Sequence, residues 1–143
     1  MLSPVRAACA LVLTSATLLA GCASAPKAPP LPPEQAIAER AGLRWQAMIE
    51  GRWADAYALL TPGYREVNTV EGFQSNYVGS PVIWKSYEVG AVVCEIADRC
   101  LADVKIQFEL TGGMPGVPKM QTQQTVQEVW LLVGGDWHHL PRK

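Results

Sequence analysis

The sequence predicts an α+β fold, in which helices come first and an antiparallel sheet follows. The main support is a change of hydrophobic period at Pro81. Before it, apolar residues recur every three or four positions, as on one face of a helix, and after it they recur every second position, as in a strand. Gly- and Pro-rich turns separate these segments. With 143 residues, the chain has the size of one domain with a tail.

The first predicted helix begins near Glu34, directly after Pro33, a residue type that suits a helix start. It ends at Gly51. Its apolar residues fall on one face, and its charged residues, Arg44 among them, are expected to lie mostly elsewhere. The apolar face consists of Ile37, Ala41, Trp45, Met48 and Ile49.

Two shorter helices are predicted between this helix and the sheet. One runs from Arg52 to Leu60 and ends at the Thr61-Pro62-Gly63 turn. The other begins at Asn68, which forms a capping-box pattern with Glu71 three residues later, and it reaches about Tyr77. Three helices are therefore expected to precede the sheet.

Four strands are predicted after the helices. The second runs from Val104 to Leu110 and alternates apolar with polar residues, the third spans Met120 to Val133, and the last spans Trp137 to Leu140. A Gly/Pro loop at 111–119 precedes the third strand, and Gly134-Gly135-Asp136 forms a tight turn after it. The first strand has one apolar face, formed by Tyr87, Val89, Ala91 and Val93.

The N-terminus has the features of a targeting signal. Fourteen uncharged residues, 7–20, follow Arg6, a length that fits a signal peptide and is too short to span a membrane. They end in Leu19-Ala20-Gly21-Cys22, which resembles the lipobox of bacterial lipoproteins. The resemblance implies a signal peptide at 1–21 and acyl chains, such as palmitate, on Cys22. An ordinary secreted protein with a chance Cys after Gly is the alternative.

The same resemblance implies a cellular location for the mature protein. Ala23 and Ser24 follow the acylated Cys, and the lack of an Asp at the second mature position favours the outer membrane. Residues 22–33 would form a Pro-rich tether of extended polyproline, with about 3.1 Å per residue. One folded domain, 34–143, would then face the periplasm.

Cys94 and Cys100 are the cysteines that remain once Cys9 leaves with the signal peptide and Cys22 is acylated. They flank the turn between the first two strands, so a disulfide formed in the oxidising periplasm would clamp a hairpin. A metal or redox pair is the alternative, but it needs further ligands or a Cys-x-x-Cys spacing, and the sequence has neither. We therefore expect no metal and no cofactor.

The segments that carry a family resemblance lie in the helices and in the last hairpin. They are Arg44-Trp45, Gly51-Arg52-Trp53-Ala54-Asp55-Ala56-Tyr57, Leu59-Leu60-Thr61-Pro62, Tyr64-Arg65, Val129-Trp130-Leu131-Leu132-Val133 and Asp136-Trp137. Together they look like the nuclear-transport-factor-two-like superfamily over about residues 34–140. The resemblance implies three helices that close a cone formed by a curved, four-stranded antiparallel sheet. A competing interpretation is another small α+β envelope lipoprotein, whose strands are usually fewer.

Glu128 is the first candidate catalytic residue. It shares a strand face with Val126, Trp130 and Leu132, which form an apolar row. If this row faces the concave side, the carboxylate lies in a poor solvent that favours its protonated form, as an acid–base group requires. If the row faces outward, Glu128 is a solvated strand residue, and strand parity leaves both alternatives open.

His138 and His139 are the other candidate catalytic residues. Because they are adjacent on a strand, they point to opposite faces and cannot easily serve one site or bind one metal. We expect one to face the cone interior and the other to face solvent. The candidate ligand-binding residues are Trp45, Tyr57 and Trp130, although core packing also explains the tryptophans.

The polar start of the third strand, Gln121 to Thr125, has two interpretations. Its side chains could line the mouth of the cone and bind a polar ligand. Equally, they could belong to the solvated overhang of a long hairpin, whose exposed edge could pair with another chain.

The composition and the motifs of the sequence exclude several classes of function. Lys and Arg total 12 against 13 Asp and Glu, so the net charge of −1 provides no field to attract nucleic acid. No paired catalytic groups, phosphate loop or zinc spacing occurs. We expect a non-enzymatic lipoprotein of the outer membrane that binds a small apolar ligand or an envelope protein partner. The superfamily also contains isomerases and cyclases, so the alternative is a small steroid-isomerase-like or cyclase-like enzyme that uses the cone interior.

Overall fold

A computed structural model describes residues 30–111, 116 and 119–142. The signal peptide, Cys22 and most of the tether predicted above lie outside the described residues. Among the residues that the structure describes, no helix is long and apolar enough to cross a membrane. Helices precede strands, as the α+β prediction requires. The elements are α1 (Pro33–Glu50), α2 (Trp53–Ala58), α3 (Pro62–Val67), α4 (Val70–Ser75), β1 (Val82–Ile96), β2 (Arg99–Leu110), β3 (Met120–Val133) and β4 (Asp136–Leu140).

Helix α1 forms where the helical period predicted it. Pro33 occupies its first position, where the missing N–H leaves no hydrogen bond unmade. Gly51 ends the helix in the left-handed region, with φ of 71°, and its N–H donates to the carbonyl oxygens of Ala47 and Met48. One expectation is wrong, because Arg44 lies on the buried face and is only 4% exposed.

Three short helices, rather than the predicted two, lie between α1 and the sheet. The segment Thr61-Pro62-Gly63 begins α3 instead of only ending α2, because proline at the first helical position has a suitable φ and needs no acceptor. The predicted cap at Asn68 is wrong by one residue. Thr69 caps α4, and its hydroxyl accepts a hydrogen bond from the Gly72 N–H at 3.1 Å.

The strands form one antiparallel sheet in the order β1-β2-β3-β4. The β2–β3 register runs through twelve residue pairs without a shift. Strand β4 is short and pairs only with Val129–Val133. The turn between β3 and β4 contains Gly134 and Gly135, with φ of 63° and 90°, as a two-residue hairpin turn requires.

Strand β1 is irregular, and one sequence expectation fails because of it. A bulge bends a strand and turns the following side chains to the other face. Val92 and Cys94 therefore lie on the half-buried face together with Tyr87 and Val89. Ala91 and Val93, which were expected to share the face of Tyr87, point outward instead. Val93 is 58% exposed. The register against β2 shifts between Trp84 and Ser86, between Val89 and Val92, and between Cys94 and Ile96.

The helices cover one face of the sheet, and the core lies between them. Helix α1 packs mainly on β1 and also contacts β2 and β4. Leu60, between α2 and α3, forms a parallel bridge with His139, so this segment extends the sheet beyond β4. The buried residues of β2 alternate along the strand, and they are Cys100, Ala102, Val104 and Ile106.

A disulfide joins Cys94 of β1 to Cys100 of β2. The two residues are direct partners in the β1–β2 register and lie close to the turn of this hairpin. Cys100 is fully buried against the helices. The structure therefore contains the hairpin clamp that the sequence predicted.

Candidate functional site

Glu128 lies on the face of the sheet that the helices cover. Strand β3 presents it on the same side as Val126 and Trp130, opposite the buried Ala102 of β2. The Glu128 residue is 3% exposed. Of the two orientations that the sequence left open, the structure thus has the inward one.

Three donors surround the carboxylate of Glu128. Arg44 of α1 forms an ion pair with Oε1 through Nη2, and Trp45 donates its indole N–H to the same oxygen at 2.7 Å. The Trp130 indole N–H donates to Oε2 at 3.1 Å. The Arg44 guanidinium also lies 4.9 Å from the centroid of the Trp45 ring, a cation–π distance. These contacts satisfy a buried charge that would otherwise be costly to remove from water.

This environment differs from that of an acid–base catalyst. The sequence argument assumed a carboxylate alone among apolar side chains, but Arg44 provides a counter-charge beside it. Both oxygens of Glu128 already accept hydrogen bonds. The three donors take up three of the roughly four lone-pair positions of the carboxylate, and a general base must itself reach the proton that it abstracts.

His139 lies beside this network. It pairs with Trp130 across β3 and β4, and the two ring centroids are 5.6 Å apart. Burial, and then the positive charges of Arg44 and Arg142, lower the pKa of His139 to about 2. The imidazole is therefore neutral near pH 7, and it is too weak a base for proton transfer at that pH.

His138 points to the other side of β4, as strand parity predicts. It does not face solvent, contrary to the expectation, because only 9% of it is exposed. The Thr61 N–H donates to the backbone oxygen of His139 at 3.0 Å, which holds the start of α3 against β4. Burial, followed by the positive charges of Arg40 and Arg65, lowers the pKa of His138. The two histidines therefore do not form one site.

Two neighbouring cavities of about 240 Å³ each lie on the inner face, and Trp45 and Val126 line both. We call them together the inner cavity. One cavity is mainly apolar, and we call it the apolar half. The other contains the Arg44–Glu128 ion pair, and we call it the polar half. The apolar half is lined by Trp45, Val82, Trp84, Ile106, Phe108 and Val126, and the polar half by Arg44, Tyr77, Glu128, His139 and Arg142.

Two buried polar atoms of the polar half have no hydrogen-bond partner within the described part of the chain. They are Nε of Arg44 and Nδ1 of His139. Leaving a buried donor or acceptor without a partner costs about 1–3 kcal/mol. Nε of Arg40 and Arg65 and Nδ1 of His138, which do not line the cavity, are also buried without a partner among the described residues, so the missing hydrogen bonds are not specific to the cavity.

The three aromatic candidates have different positions. Trp45 lines both halves of the inner cavity. Trp130 is fully buried and acts as a donor to Glu128. The Tyr57 hydroxyl donates to the carbonyl oxygen of Asn68 at 2.5 Å, so it holds the end of α3 and is not among the residues lining the cavity.

Sequence reasoning missed Arg44, Trp84 and Arg142 as cavity residues. For Arg44 a signal was present, because it lies three residues after Ala41 and four before Met48, which is the spacing of the buried face. Its charge led to the opposite expectation. Trp84 lies just before a register shift in β1 and Arg142 lies after the end of β4, so no periodic pattern identifies either residue as inward-facing.

A wider hollow of about 740 Å³ lies at the start of β3. Its lining is polar and mostly exposed, so it resembles a solvated surface basin more than a ligand site. No cluster of His, Cys, Asp or Glu suited to a metal ion occurs among the residues that the structure covers. The hollow is lined by Lys85, Ser86, Gln107, Phe108, Gln121, Thr122 and Gln123.

Comparison with solved structures identifies the fold. A ketosteroid isomerase-like protein from Erwinia carotovora atroseptica superposes with a TM-score of 0.52 at 19% identity, covering 73% of this chain and 88% of that one. The domain has a nuclear-transport-factor-two-like fold. This fold accounts for the order of helices and strands.

Other similarities are more distant. A SEC-C motif containing protein from Rhodopseudomonas palustris matches with a TM-score of 0.49 at 14% identity, over 68% of this chain and 70% of that one. An NTF2-like protein from Prochlorococcus marinus matches with a TM-score of 0.35 at 13% identity, over 50% and 56%. No family model matches the chain, and no curated protein matches its sequence. Because a nuclear-transport-factor-two-like fold hosts many activities, function has to be argued from the inner cavity.

The Arg44–Glu128 pair yields a prediction about stability. Replacing Glu128→Gln is expected to lower the free energy of unfolding by about 3 kcal/mol or more, because Arg44 stays buried without its counter-charge. Arg44→Met should have a similar cost, and the double variant should cost clearly less than the sum. Urea unfolding of the four proteins measures this coupling. The exposed pair Arg99–Glu95 is the control, with an expected coupling below about 1 kcal/mol. Additive costs at Arg44 and Glu128 would contradict the prediction.

The low pKa of His139 predicts a pH dependence. The folded protein keeps this imidazole neutral, whereas the unfolded chain protonates it below about pH 6.5. The unfolded state therefore binds more protons, so stability falls as the pH is lowered through 6.5, by up to about 1.4 kcal/mol per pH unit. Urea unfolding between pH 7 and pH 5.5 should show a shallower fall for His139→Phe than for the wild type. Identical slopes would mean that His139 titrates normally in the folded state.

Proposed function

We propose that this domain is a non-catalytic ligand-binding module of the bacterial envelope. Its inner cavity binds a small apolar molecule with one polar group that is not a cation, such as a hydroxyl. One observation carries this proposal. An aromatic cavity of about 240 Å³ adjoins a second one of the same size, which Arg44, Glu128 and His139 line.

The apolar half suits a ring or a short chain. Trp45 and Trp84 meet edge to face, with centroids 5.6 Å apart, and Tyr77 packs on Trp84 at 5.3 Å. These contacts hold the walls in place without a ligand, which lowers the entropic cost of binding. Each half is smaller than the roughly 300–1,000 Å³ of a typical drug-sized pocket, so the ligand is small or extends through both halves.

The polar half disfavours a cationic group. Arg44 and Arg142 carry two positive charges and Glu128 carries one negative charge, while His139 is neutral near pH 7. A hydroxyl can accept a hydrogen bond from a guanidinium or donate one to a carboxylate. A carboxylate would meet Glu128 but also both arginines, whereas an ammonium group would meet a net positive charge. An ammonium group would therefore bind less well than a hydroxyl or a carboxylate.

The same contacts favour binding over catalysis. Burial raises the pKa of Tyr77, so this cavity residue is a hydrogen-bond donor near pH 7 and could serve an oxyanion. The enzyme alternative also needs a base, yet Glu128 is occupied by three donors and His139 is too weak a base. The likeness to a ketosteroid isomerase-like protein, at 19% identity, is a likeness of fold.

The envelope location rests on the sequence and on one structural feature. The lipobox-like Leu19-Ala20-Gly21-Cys22 and the tether at 22–33 support a lipid anchor in the outer membrane. The Cys94–Cys100 disulfide suits an oxidising compartment such as the periplasm. In this proposal the tether holds the domain away from the membrane surface, with the inner cavity free to exchange ligand.

Lipidation can be tested in cells that express the full-length chain. Labelled palmitate should be incorporated into the wild type and should not be incorporated into Cys22→Ser. The wild type should fractionate with the outer membrane and Cys22→Ser with the soluble periplasm, because the acyl chains provide the anchor. Cys9→Ser is the matched control, with unchanged labelling. Labelling of Cys22→Ser would refute the assignment of the acylated residue.

Ligand selection can be tested by calorimetry with three naphthalene probes that differ in charge. We expect 2-naphthol and 2-naphthoate to bind at least ten-fold more tightly than 2-naphthylmethylammonium, because the two arginines of the polar half outnumber its one carboxylate. Val126→Phe should weaken binding by filling the cavity that Val126 lines. Val129→Phe, on the opposite face of β3, is the control and should bind as the wild type does. Equal binding of all three probes, or equal loss in both variants, would contradict the proposal.

A further inference from the structure

The first half of β3 has no strand on one of its two sides within the described residues. β4 pairs only with Val129–Val133, and Pro141 follows β4 and has no N–H with which to extend the ladder. The side chain of Arg142 donates to the carbonyl oxygen of Gln127 and so occupies the next acceptor. Residues 120–126 remain, and we call them the open edge. Alternate residues there present backbone N–H and C=O groups without a strand partner.

The two sides of the sheet differ in how they are protected. Outermost strands usually carry charges, prolines or bulges that prevent pairing with other chains. Strand β1 has such features, because its register shifts three times and it carries Lys85, Glu88 and Glu95. The open edge reads Met-Gln-Thr-Gln-Gln-Thr-Val, without a charge or a proline. Its register against β2 has no shift, and its residues are exposed as far as Thr125.

We propose that the open edge pairs with the open edge of a second copy of this chain. An antiparallel arrangement about a two-fold axis would join the two sheets into one sheet of eight strands. The composition favours a second copy over a different partner. Two identical charged edges would repel, but glutamine amides both donate and accept, so identical glutamines can pair across the axis. A partner strand of either charge would find no opposite charge on residues 120–126.

The association would bring a second copy close to the inner cavity. Gln124 belongs to the open edge and also lines the apolar half of the cavity, beside Val126. In the dimer, the partner's strand therefore runs along the rim of each cavity. Pairing depends on the backbone of β3 and not on any ligand, so it can fail or succeed independently of the ligand-binding proposal.

Sedimentation equilibrium of the full-length chain in a mild non-ionic detergent tests the pairing. We expect a monomer–dimer equilibrium, and Gln123→Lys should raise its dissociation constant at least ten-fold, because like charges would then lie close together across the axis. Gln107→Lys is the matched control. It introduces the same charge on the same face, on β2 directly opposite Gln123, but that strand is paired on both sides. Its dissociation constant should match that of the wild type.

Hydrogen exchange of the wild type provides a second measurement that needs no variant. Amides at alternate positions of the open edge should become protected as the protein concentration rises through the dissociation constant. A monomer at all concentrations would overturn the proposal. So would a dimer that both lysine variants weaken equally, since this would mean association through the face of the sheet. Protection that does not depend on concentration would indicate a different occupant and would also overturn it.

Discussion

The buried ion pair between Arg44 and Glu128 is the contact on which the rest of the site depends. Two opposite charges can both be buried only when they pair with each other, because an unpaired buried charge is costly. Helix α1 therefore packs on the sheet where Arg44 reaches Glu128 of β3. Trp45, the next residue, bonds the same carboxylate oxygen, so two adjacent side chains fix both the rotation of α1 and its position along β3. Trp45 is thereby held as the wall shared by both halves of the inner cavity.

Much of the fold could be predicted because its signals are local. The helical period of α1, the alternation of β2 and the glycines of the last turn each depend on neighbouring residues only. The bulges of β1 could not be predicted, because they arise from its pairing with β2 and leave the alternation of Tyr87 and Val89 unchanged. The misplaced cap has another cause, since Asn68 and Thr69 are both good capping residues and lie side by side.

The site was less predictable than the fold, because its groups meet from distant parts of the chain. Parity identified Glu128 as a candidate, but both faces of β3 carry apolar residues, Trp130 on one and Leu131 on the other, so the inner face could not be chosen. Arg44 was expected in solvent because a lone charge is costly to bury. Its partner lies 84 positions further along the chain, and no short-range pattern reports such a contact.

The disulfide has a consequence for how the chain reaches this structure. A shift of one residue in strand pairing turns every side chain to the opposite face. Cys100 lies on the same side of β2 as Ala102, Val104 and Ile106, so a bond to its direct partner Cys94 also determines which side of β2 turns toward the helices. The two cysteines are six positions apart, which makes this closure a local event that needs no contact with β3. Oxidation therefore favours the native alignment at the turn end of the first hairpin, independently of the strand that carries Glu128.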